Sequence, residues 1–302
     1  MREDFCAFIV SHGRPNRIDT LRSLERHGYT GKVFIVIDDE DTTGDEYRQA
    51  YGDQVLMFSK SEAESYTDHY DQGSSKGRKN NVWARNICWA LAKKVNCRYF
   101  VQLDDDYTQF RYSTRLGKGH GTSTTDEPEY HKWQLRSLDA VFEAQVRVLK
   151  TTPTLCIAMS QGGDHIGGDF KRERFKRKVM NAFVCDTSKP FYFRGRINED
   201  VNTYVALGHV GQLFFTDMQV QLEQRRTQSN EGGLTDYYLD AGTFVKSFHT
   251  VMAAPSCTTI RLMGQAVRPR YKDTKAQMRL HHHINWDKAV PKILSEQVKK
   301  HD

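Results

Sequence analysis

The chain contains 302 residues, of which 38% are hydrophobic and 27% charged, and its formal net charge is +6. No run of residues approaches the roughly 18 apolar positions that mark a membrane-spanning helix. The six cysteines include no CxxC pair that would indicate a zinc site. This composition is typical of a globular protein with reduced thiols, for which we expect a cytoplasmic location and no membrane partner. The mild basic excess permits a polyanionic partner but does not require one.

The first hundred residues alternate between predicted strands and helices. Apolar, β-prone runs predict buried strands at residues 5–10, 33–37, 55–58 and 99–103. Apolar residues at helical spacing predict helices at residues 17–27, 45–51 and 81–94. The polar residues 59–78 are expected to form a loop. Because strands that alternate with helices indicate a parallel sheet covered by helices, the predicted fold class is α/β.

The later residues follow a less regular pattern. We predict an amphipathic helix at residues 130–150 and strands at residues 154–159, 179–185, 191–193 and 211–222. Asn198 is the expected N-cap of a helix at residues 201–207, which Gly208 would end. Residues 111–120 are basic and rich in glycine, serine and threonine, and we expect them to form a mobile loop.

Three carboxylates, Asp104, Asp105 and Asp106, follow the fourth predicted strand. Three such groups cannot all stay ionised and close together without a compensating cation. In extended backbone Asp104 and Asp106 project to one side and Asp105 to the other. Two hard oxygen ligands on one side suit Mg²⁺ or Mn²⁺, which in turn carry phosphates. A solvated acidic turn explains the same residues equally well when the motif is taken alone.

Polar residues also follow the first two predicted strands. The first strand leads into Ser11, His12, Gly13 and Arg14, and the second into Asp38 and Asp39. Because ligands of open α/β sheets lie at the carboxyl ends of the strands, these groups should gather at one edge. We expect Asp38 or Asp39 to accept hydrogen bonds from a nucleotide. Arg14, Arg85 and Lys79 are candidates for phosphate contacts, although an exposed helix cation explains Arg85 about equally well.

Taken in order, these motifs resemble those of nucleotide-sugar glycosyltransferases with the GT-A fold. The likeness lies in the strand and turn at 8–15, the strand ending in Asp38-Asp39, Ala84-Arg85-Asn86, and the Asp-x-Asp at 104–106. It implies a mixed, mostly parallel sheet flanked by helices. A Rossmann-like nucleotide-sugar half, residues 1–110, would be fused to an acceptor half with a C-terminal extension, residues 111–302, in one continuous domain.

More narrowly, the chain resembles the phage TET-associated glycosyltransferases, relatives of the enzyme that glucosylates base J. The similarity is carried by Leu-Asp-Asp-Asp-Tyr at 103–107, Arg-Ile-Asn-Glu-Asp-Val at 196–201 and His-His-His-Ile-Asn-Trp at 281–286. That family is proposed to add sugars to hydroxymethylated pyrimidines in DNA. The resemblance therefore implies a DNA acceptor such as 5-hydroxymethylcytosine and, for a phage-encoded protein, the host cytoplasm.

The resemblance also assigns roles on the donor side. Asp104 and Asp106 would hold Mn²⁺ or Mg²⁺ against the diphosphate of a UDP-sugar, where the ion stabilises the leaving group. His282 of the triple histidine is the candidate third ligand, and His249 competes for that role. Asp105 would contact the ribose or the sugar.

On the acceptor side, Asp200 is the candidate general base of an inverting transfer, with Glu199 as the alternate. Acids at a helix start are also stabilised by the helix dipole, which explains the same residue types. Asp164 and His165, between paired glycines, are candidates for the acceptor pocket, and an ordinary polar loop is the alternative.

A basic run supplies the candidate contacts to DNA phosphates, for which a solvated surface patch is the simpler interpretation. Its members are Lys171, Arg172, Arg174, Lys176, Arg177 and Lys178. Three other functions fit the sequence less well. They are a GT-A glycosyltransferase with a protein, lipid or glycan acceptor, a nucleotidyltransferase, and a catalytically inactive DNA-binding module.

Overall fold

The fold is described from a computed structural model of the chain. The structure describes residues 1–70, 80–115, 130–161, 164, 176–225, 245–264 and 278–289. Within these ranges a nine-stranded mixed sheet has helices on both faces, and a separate two-stranded hairpin lies late in the chain. The predicted α/β class and the mixed sheet expected of a GT-A-like fold are confirmed.

The first half of the sheet is parallel, in the order β3-β2-β1-β4. Its strands are β1 (Phe5–Val10), β2 (Lys32–Asp38), β3 (Val55–Phe58) and β4 (Tyr99–Asp104). The intervening helices are α1 (Asp19–Arg26), α2 (Gly44–Tyr51), α3 (Lys60–Ser65) and α4 (Val82–Lys94). All four predicted strands and all three predicted helices of this half are present.

Helix α3 lies in the segment predicted to be a loop, so that prediction is wrong there. Ser59 is the N-cap, and its side chain accepts a hydrogen bond from the backbone N–H of Glu62. Ser59 to Glu62 read S-x-x-E, the pattern of a capping box, which was available as a sequence signal for this helix start.

The second half of the sheet continues from β4 in the order β8-β7-β9-β5-β6. Its strands are β5 (Tyr107–Arg115), β6 (Tyr130–Gln134), β7 (Cys156–Ser160), β8 (Asn181–Asp186) and β9 (Phe214–Gln224). Only β7 and β9 pair in parallel, and the other contacts from β4 onwards are antiparallel. Helices α5 (Leu138–Thr151) and α6 (Glu199–His209) belong to this half.

Three predictions for this half are wrong in part. Residues 111–115 belong to β5 and not to a loop, and the rest of that predicted loop lies outside the described residues. The predicted helix at 130–150 begins as β6, and α5 starts only after Ser137, whose side chain caps it. Residues 191–193 are not in a strand: Phe191 and Phe193 pack together in the core without joining the sheet, and Tyr192 between them is exposed.

The last described elements pack beside α6. They are α7 (Val245–Ala253), the antiparallel hairpin of β10 (Thr258–Gly264) and β11 (Met278–Ile284), and α8 (Trp286–Ala289). Gly208 lies within α6 and does not end it: a Cβ there would lie 2.2 Å from the carbonyl oxygen of Ala289. Glycine therefore permits the close approach of α8. No helix in the described ranges has the length and apolar character needed to cross a membrane.

Strand β4 is buried on both faces, as expected for a central strand covered by helices. Phe100 and Gln102 face α4, whereas Val101 and Leu103 face the core formed with α1 and α5. The alternation continues into the acidic triplet. It directs Asp104 towards α4 and Asp105 towards the opposite face.

Candidate active site

Asp104 ends β4 at the edge where the parallel strands have their carboxyl ends. Its Oδ1 lies 2.9 Å from Nη2 of Arg85, and its Oδ2 accepts a hydrogen bond of 3.3 Å from the hydroxyl of Tyr107. The carboxylate is thus fixed from two sides and remains about one quarter exposed. Arg85 and Tyr107 both belong to motifs that the sequence shows, but their contacts with Asp104 form only in the tertiary fold.

Arg85 connects Asp104 to the start of α6. Its Nε lies 3.1 Å from Oε1 of Glu199, and its guanidinium carbon lies 4.9 Å from the ring centre of Phe183. The side chain is only 4% exposed, so the alternative of an exposed helix cation is wrong. Burial alone would lower the pKa of Arg85, but Asp104 and Glu199 outweigh it and raise the pKa. Its Nη1 is buried and has no hydrogen-bond partner within the described residues.

Asp105 lies on the other side of β4 and is 3% exposed. Its Oδ2 accepts a hydrogen bond of 2.6 Å from the hydroxyl of Ser11 and lies 3.4 Å from Nε of Arg14. Burial raises the pKa of Asp105, and Arg14 and Ser11 counteract that rise. The carboxylate is therefore directed at the turn after β1, where it holds Ser11 and Arg14.

Asp106 begins the turn between β4 and β5 and is half-buried. Burial, followed by the charges of Asp104 and Asp105, raises the pKa of Asp106 to about 7. Within the described part of the chain its carboxylate forms no hydrogen bond or ion pair with another side chain. Asp104 and Asp106 thus repel each other, which is the environment that a bound cation relieves.

These two carboxylates fit a divalent cation of the Mg²⁺ type. Such ions keep several waters and are held by one or two carboxylates together with the phosphates of a substrate. No group of three or more His, Cys, Asp and Glu side chains placed to hold a metal occurs among the described residues. The structure therefore does not bring His282 to Asp104 and Asp106 as a third ligand.

The turn after β1 is fixed by the acids that follow β2. His12 Nδ1 lies 2.8 Å from Oδ2 of Asp38, and the backbone N–H of Gly13 donates to Oδ2 of Asp41 at 2.7 Å. Gly13 has φ +68° and nothing within 4 Å of an added Cβ, so backbone conformation, and not space, favours glycine there.

The structure separates the two nucleotide-contact candidates after β2. Asp38 is buried, and its Oδ1 lies 2.8 Å from Nζ of the buried Lys60. Burial would raise the pKa of Asp38, but hydrogen bonds from His12 and Lys60 lower it overall. Asp39 is exposed and accepts only the backbone N–H of Lys60 within the described ranges. Asp39 is therefore the one with a carboxylate open to a ligand.

Sequence reasoning missed Tyr47 and Lys60 as parts of this edge. The hydroxyl of Tyr47 lies 2.7 Å from Oγ of Ser11 and accepts the backbone N–H of Arg14 at 3.0 Å. Burial raises the pKa of Tyr47 to about 12, so it stays protonated. Neither residue belongs to a motif, and no sequence signal marks either contact.

Glu199 and Asp200 occupy the first turn of α6. Burial and the neighbouring Asp200 raise the pKa of Glu199 to about 7, although Arg85 opposes the rise. Burial also raises the pKa of Asp200, against the opposing charges of Lys246, Arg85 and Lys178. The helix start, with its positive dipole end, is thus shared by two interacting acids.

Asn198 occupies the N-cap position of α6 with φ +54°, but its side chain does not cap the helix. Its Nδ2 donates to the carbonyl oxygen of Lys246 at 2.8 Å and to the hydroxyl of Thr250 at 3.0 Å. The prediction of a side-chain cap is therefore wrong, because the amide is used to join α6 to α7.

Among the acceptor-pocket candidates, Asp164 is described and His165 lies outside the described residues. Oδ2 of Asp164 accepts the backbone N–H of Gln161 at 2.8 Å, and its carbonyl accepts Arg177 Nη1 at 3.1 Å. Tyr204 has its pKa raised by burial and then by Asp200 and Asp164. Asp164 and Asp200 therefore lie near the same tyrosine.

Only the last three members of the basic run are described, and Lys171, Arg172 and Arg174 are not. Lys176 Nζ lies 2.8 Å from Oδ1 of Asp287. Lys178 acts electrostatically on both Asp200 and His282. The described members of the run therefore interact with α8, with Asp164 and with the start of α6, and do not form an isolated surface patch.

The sequence model of the TET-Associated Glycosyltransferase family matches residues 5–233. The chain belongs to this family. It is therefore a glycosyltransferase, which confirms the family and the enzyme class expected from the motifs. No curated protein sequence matches the chain significantly.

Solved structures also align with this glycosyltransferase. A mycobacterial protein aligns at 10% identity with a TM-score of 0.42, over 93% of this chain and 84% of that one. S. aureus TarS 1-349 in complex with UDP-GlcNAc aligns at 12% identity with a TM-score of 0.38, over 82% of this chain and 66% of that one. S. aureus TarS 1-349 alone aligns at 12% identity with a TM-score of 0.34, over 72% and 60%.

Proposed function

We propose that this glycosyltransferase moves a sugar from a UDP-sugar to the hydroxymethyl group of 5-hydroxymethylcytosine, or of a related pyrimidine, in DNA. The observation that supports a single transfer site is the buried connection of Asp104 and Glu199 through Arg85. It joins the strand edge expected to hold the donor to the acids expected to meet the acceptor. Membership in the TET-associated family favours the modified base as acceptor.

On the donor side, residues 1–110 would bind the nucleotide-sugar. The exposed Asp39 is suited to the ribose or base, and the side chain of Arg14 to the diphosphate. Asp104 and Asp106 would hold Mn²⁺ or Mg²⁺ beside that diphosphate. When bound, the ion would neutralise negative charge on the leaving group.

On the acceptor side, within residues 111–302, Asp200 is our candidate general base. In an inverting transfer the acceptor oxygen forms a bond to the anomeric carbon as the bond from that carbon to the phosphate oxygen breaks. The proton of the acceptor hydroxyl passes to Asp200, and UDP leaves. Glu199, held by Arg85, would fix the first turn of α6 and serves as the alternate base.

The direct test is to incubate the protein with a panel of UDP-sugars, Mn²⁺ and DNA that contains 5-hydroxymethylcytosine. Mass spectrometry of the released nucleosides should show the mass of one added hexose on the modified base. DNA with unmodified cytosine and a reaction with EDTA are the matched controls.

The same reaction separates the competing functions. Addition of UMP to the acceptor with release of a sugar 1-phosphate would identify a nucleotidyltransferase. Transfer only to protein, lipid or glycan acceptors would contradict the DNA assignment while leaving the enzyme class intact. Undiminished transfer in EDTA would remove the metal from the proposal.

A further inference from the structure

A group of basic side chains beside Asp200 has no role in the proposed chemistry. It consists of Lys178, Lys246 and His282, which we call the basic pocket. The three residues are far apart in the sequence and come from the segment before β8, from α7 and from β11.

The fold brings these segments to the start of α6. Asn198, two residues before Asp200, binds the carbonyl oxygen of Lys246. The hydroxyl of Ser247 donates to the carbonyl oxygen of Leu280 at 3.2 Å, which fixes the start of α7 against β11. Lys246 precedes Ser247 and His282 lies two residues after Leu280, so this contact and that of Asn198 bring the backbone of α7 at Lys246 close to both β11 and the start of α6.

The electrostatic effects of these residues are consistent with their lying near one another. Lys178 and Lys246 both lower the pKa of Asp200, and both also lower that of His282. Burial is the main reason that the pKa of His282 falls to about 3, so the ring is neutral at physiological pH. None of the carboxylates at 104–106 is among the groups that act on His282.

His282 supplies the observation that indicates a ligand. It is 4% exposed, yet neither ring nitrogen has a hydrogen-bond partner in the described part of the chain. A buried polar group without a partner is unfavourable and calls for an explanation such as a ligand or a water molecule. A neutral imidazole can donate one hydrogen bond to an anion.

We propose that Lys178, Lys246 and His282 bind a phosphate group of the acceptor strand, next to the nucleotide that receives the sugar. Two ammonium groups and an imidazole N–H match the charge and the acceptor oxygens of a phosphate. The pocket lies on the Asp200 side of the site, so it would place the acceptor nucleotide against the candidate base. This inference rests on the proposed function only in taking the acceptor to be a nucleic acid.

The first experiment compares 5-hydroxymethyl-2′-deoxycytidine with its 3′- and 5′-phosphorylated forms as acceptors. Lys178→Met and Lys246→Met should each lower the preference for the phosphorylated acceptor over the nucleoside, measured as the ratio of their KM values, about tenfold. His282→Leu should also weaken binding of the phosphorylated acceptor. His282→Gln keeps a hydrogen-bond donor, so its effect should be smaller. Lys288→Met, at an exposed lysine of α8, is the matched control.

A second measurement does not depend on turnover. Binding of a short single-stranded DNA is followed at several salt concentrations, with excess UDP to occupy the donor site. The logarithm of the binding constant falls linearly with the logarithm of the salt concentration, and the slope of this line is the salt slope. Removing either pocket lysine should reduce the magnitude of the salt slope by about 0.7, the value for one phosphate contact on a single strand. Thermal unfolding of each variant shows that a change does not reflect loss of the fold.

The outcomes separate this inference from the proposed function. If DNA glycosylation occurs but the lysine variants change neither the phosphorylated acceptor's KM nor the salt slope, the pocket assignment is wrong. If KM rises for the UDP-sugar instead, the pocket belongs to the donor site, which also overturns the inference. If no sugar is transferred to DNA but the slopes fall as expected, the pocket stands and the proposed acceptor chemistry fails.

Discussion

The donor edge and the acceptor side of this glycosyltransferase differ in how their polar groups are satisfied. At the donor edge, Ser11, Asp38 and Asp105 are held by hydrogen bonds and ion pairs within the protein. On the acceptor side, the nitrogens of His282 and the hydroxyl of Tyr204 are buried without hydrogen-bond partners in the ranges described. The two regions meet at Arg85, which has partners on both sides.

This difference indicates how each region recognises its ligand. A network that is complete without a ligand is preorganised, so binding does not have to order its side chains. Unpartnered buried groups instead gain hydrogen bonds when a ligand or water arrives. We infer that the network of Ser11, Asp38 and Asp105 at the donor edge is preorganised, whereas the buried groups on the acceptor side gain their hydrogen bonds when the acceptor binds. Four predictions test this contrast.

The largest effect is expected at the junction with the donor. Asp104→Asn removes one of two candidate metal ligands and the charge paired with Arg85, so sugar transfer should fall at least about a hundredfold. Initial rates with Mn²⁺ measure the loss. Asp45→Asn, at an exposed position on α2, is the control and should keep its rate. Equal rates for both variants would remove Asp104 from the mechanism.

The second prediction concerns the link between the two regions. Arg85→Met leaves Asp104 and Glu199 without their shared cation and should lower the free energy of unfolding by about 3–5 kcal/mol. Arg85→Lys keeps the charge but not both contacts, so its free energy of unfolding should lie between those of the wild type and Arg85→Met. Arg48→Met removes an exposed ion pair and should cost below about 1 kcal/mol. Denaturant unfolding measures the free energy of unfolding of all three variants. If Arg85→Met loses no more of it than Arg48→Met, Arg85 does not connect the two regions.

A smaller effect is expected within the donor edge. Ser11→Ala removes one hydrogen bond from buried Asp105 and one of the two hydrogen bonds of the Tyr47 hydroxyl, which should lower the free energy of unfolding by about 1–3 kcal/mol. Ser61→Ala, on the exposed face of α3, should change it by less than about 0.5 kcal/mol. A preorganised donor edge is contradicted if the two substitutions have the same effect.

The smallest effect is a pH dependence of stability. The pKa of Glu199 is raised from 4.5 to about 7, so the folded state binds its proton more tightly than the unfolded state. This contribution is complete below about pH 4.5 and is lost as the pH rises through 7. Glu199→Gln should therefore flatten the decline in unfolding free energy between pH 5 and 7.5, with a residual slope from Asp106.

Glu46→Gln, at an exposed position of α2, is the control for this pH series and should leave the slope unchanged. An equal slope in the wild type and Glu199→Gln would show that Glu199 is not held in a protonation-sensitive environment.

Much of the first half of the fold was predictable, because its strands are continuous apolar runs and its helices have clear periodicity. The segment at 130–150 was misassigned because β6 is an edge strand next to a real helix, and its alternation is too short to override the helical pattern. Of the candidate site, the strand-end positions of Ser11, Asp38 and Asp104 were predicted from the general rule for open α/β sheets, and their functional roles stay predictions.

The contacts of those residues were not predictable. The sequence left Arg85 open between a phosphate contact and an exposed helix cation, and its burial between β4 and α6 is decided only by the tertiary structure. Tyr47 and Lys60 carry no motif at all. Asn198 had the right residue type for a cap, but α7 offered its amide other partners.

The sequence by itself determined the fold class, the strand edge and the acidic residues, because local periodicity and residue chemistry act over a few neighbouring positions. Only the tertiary structure decided which acids are paired, which remain open to a ligand, and which basic groups surround Asp200. Those properties depend on burial and on contacts between residues 20 to more than 100 positions apart. Such contacts shift a pKa or bury an arginine without leaving any pattern in the chain.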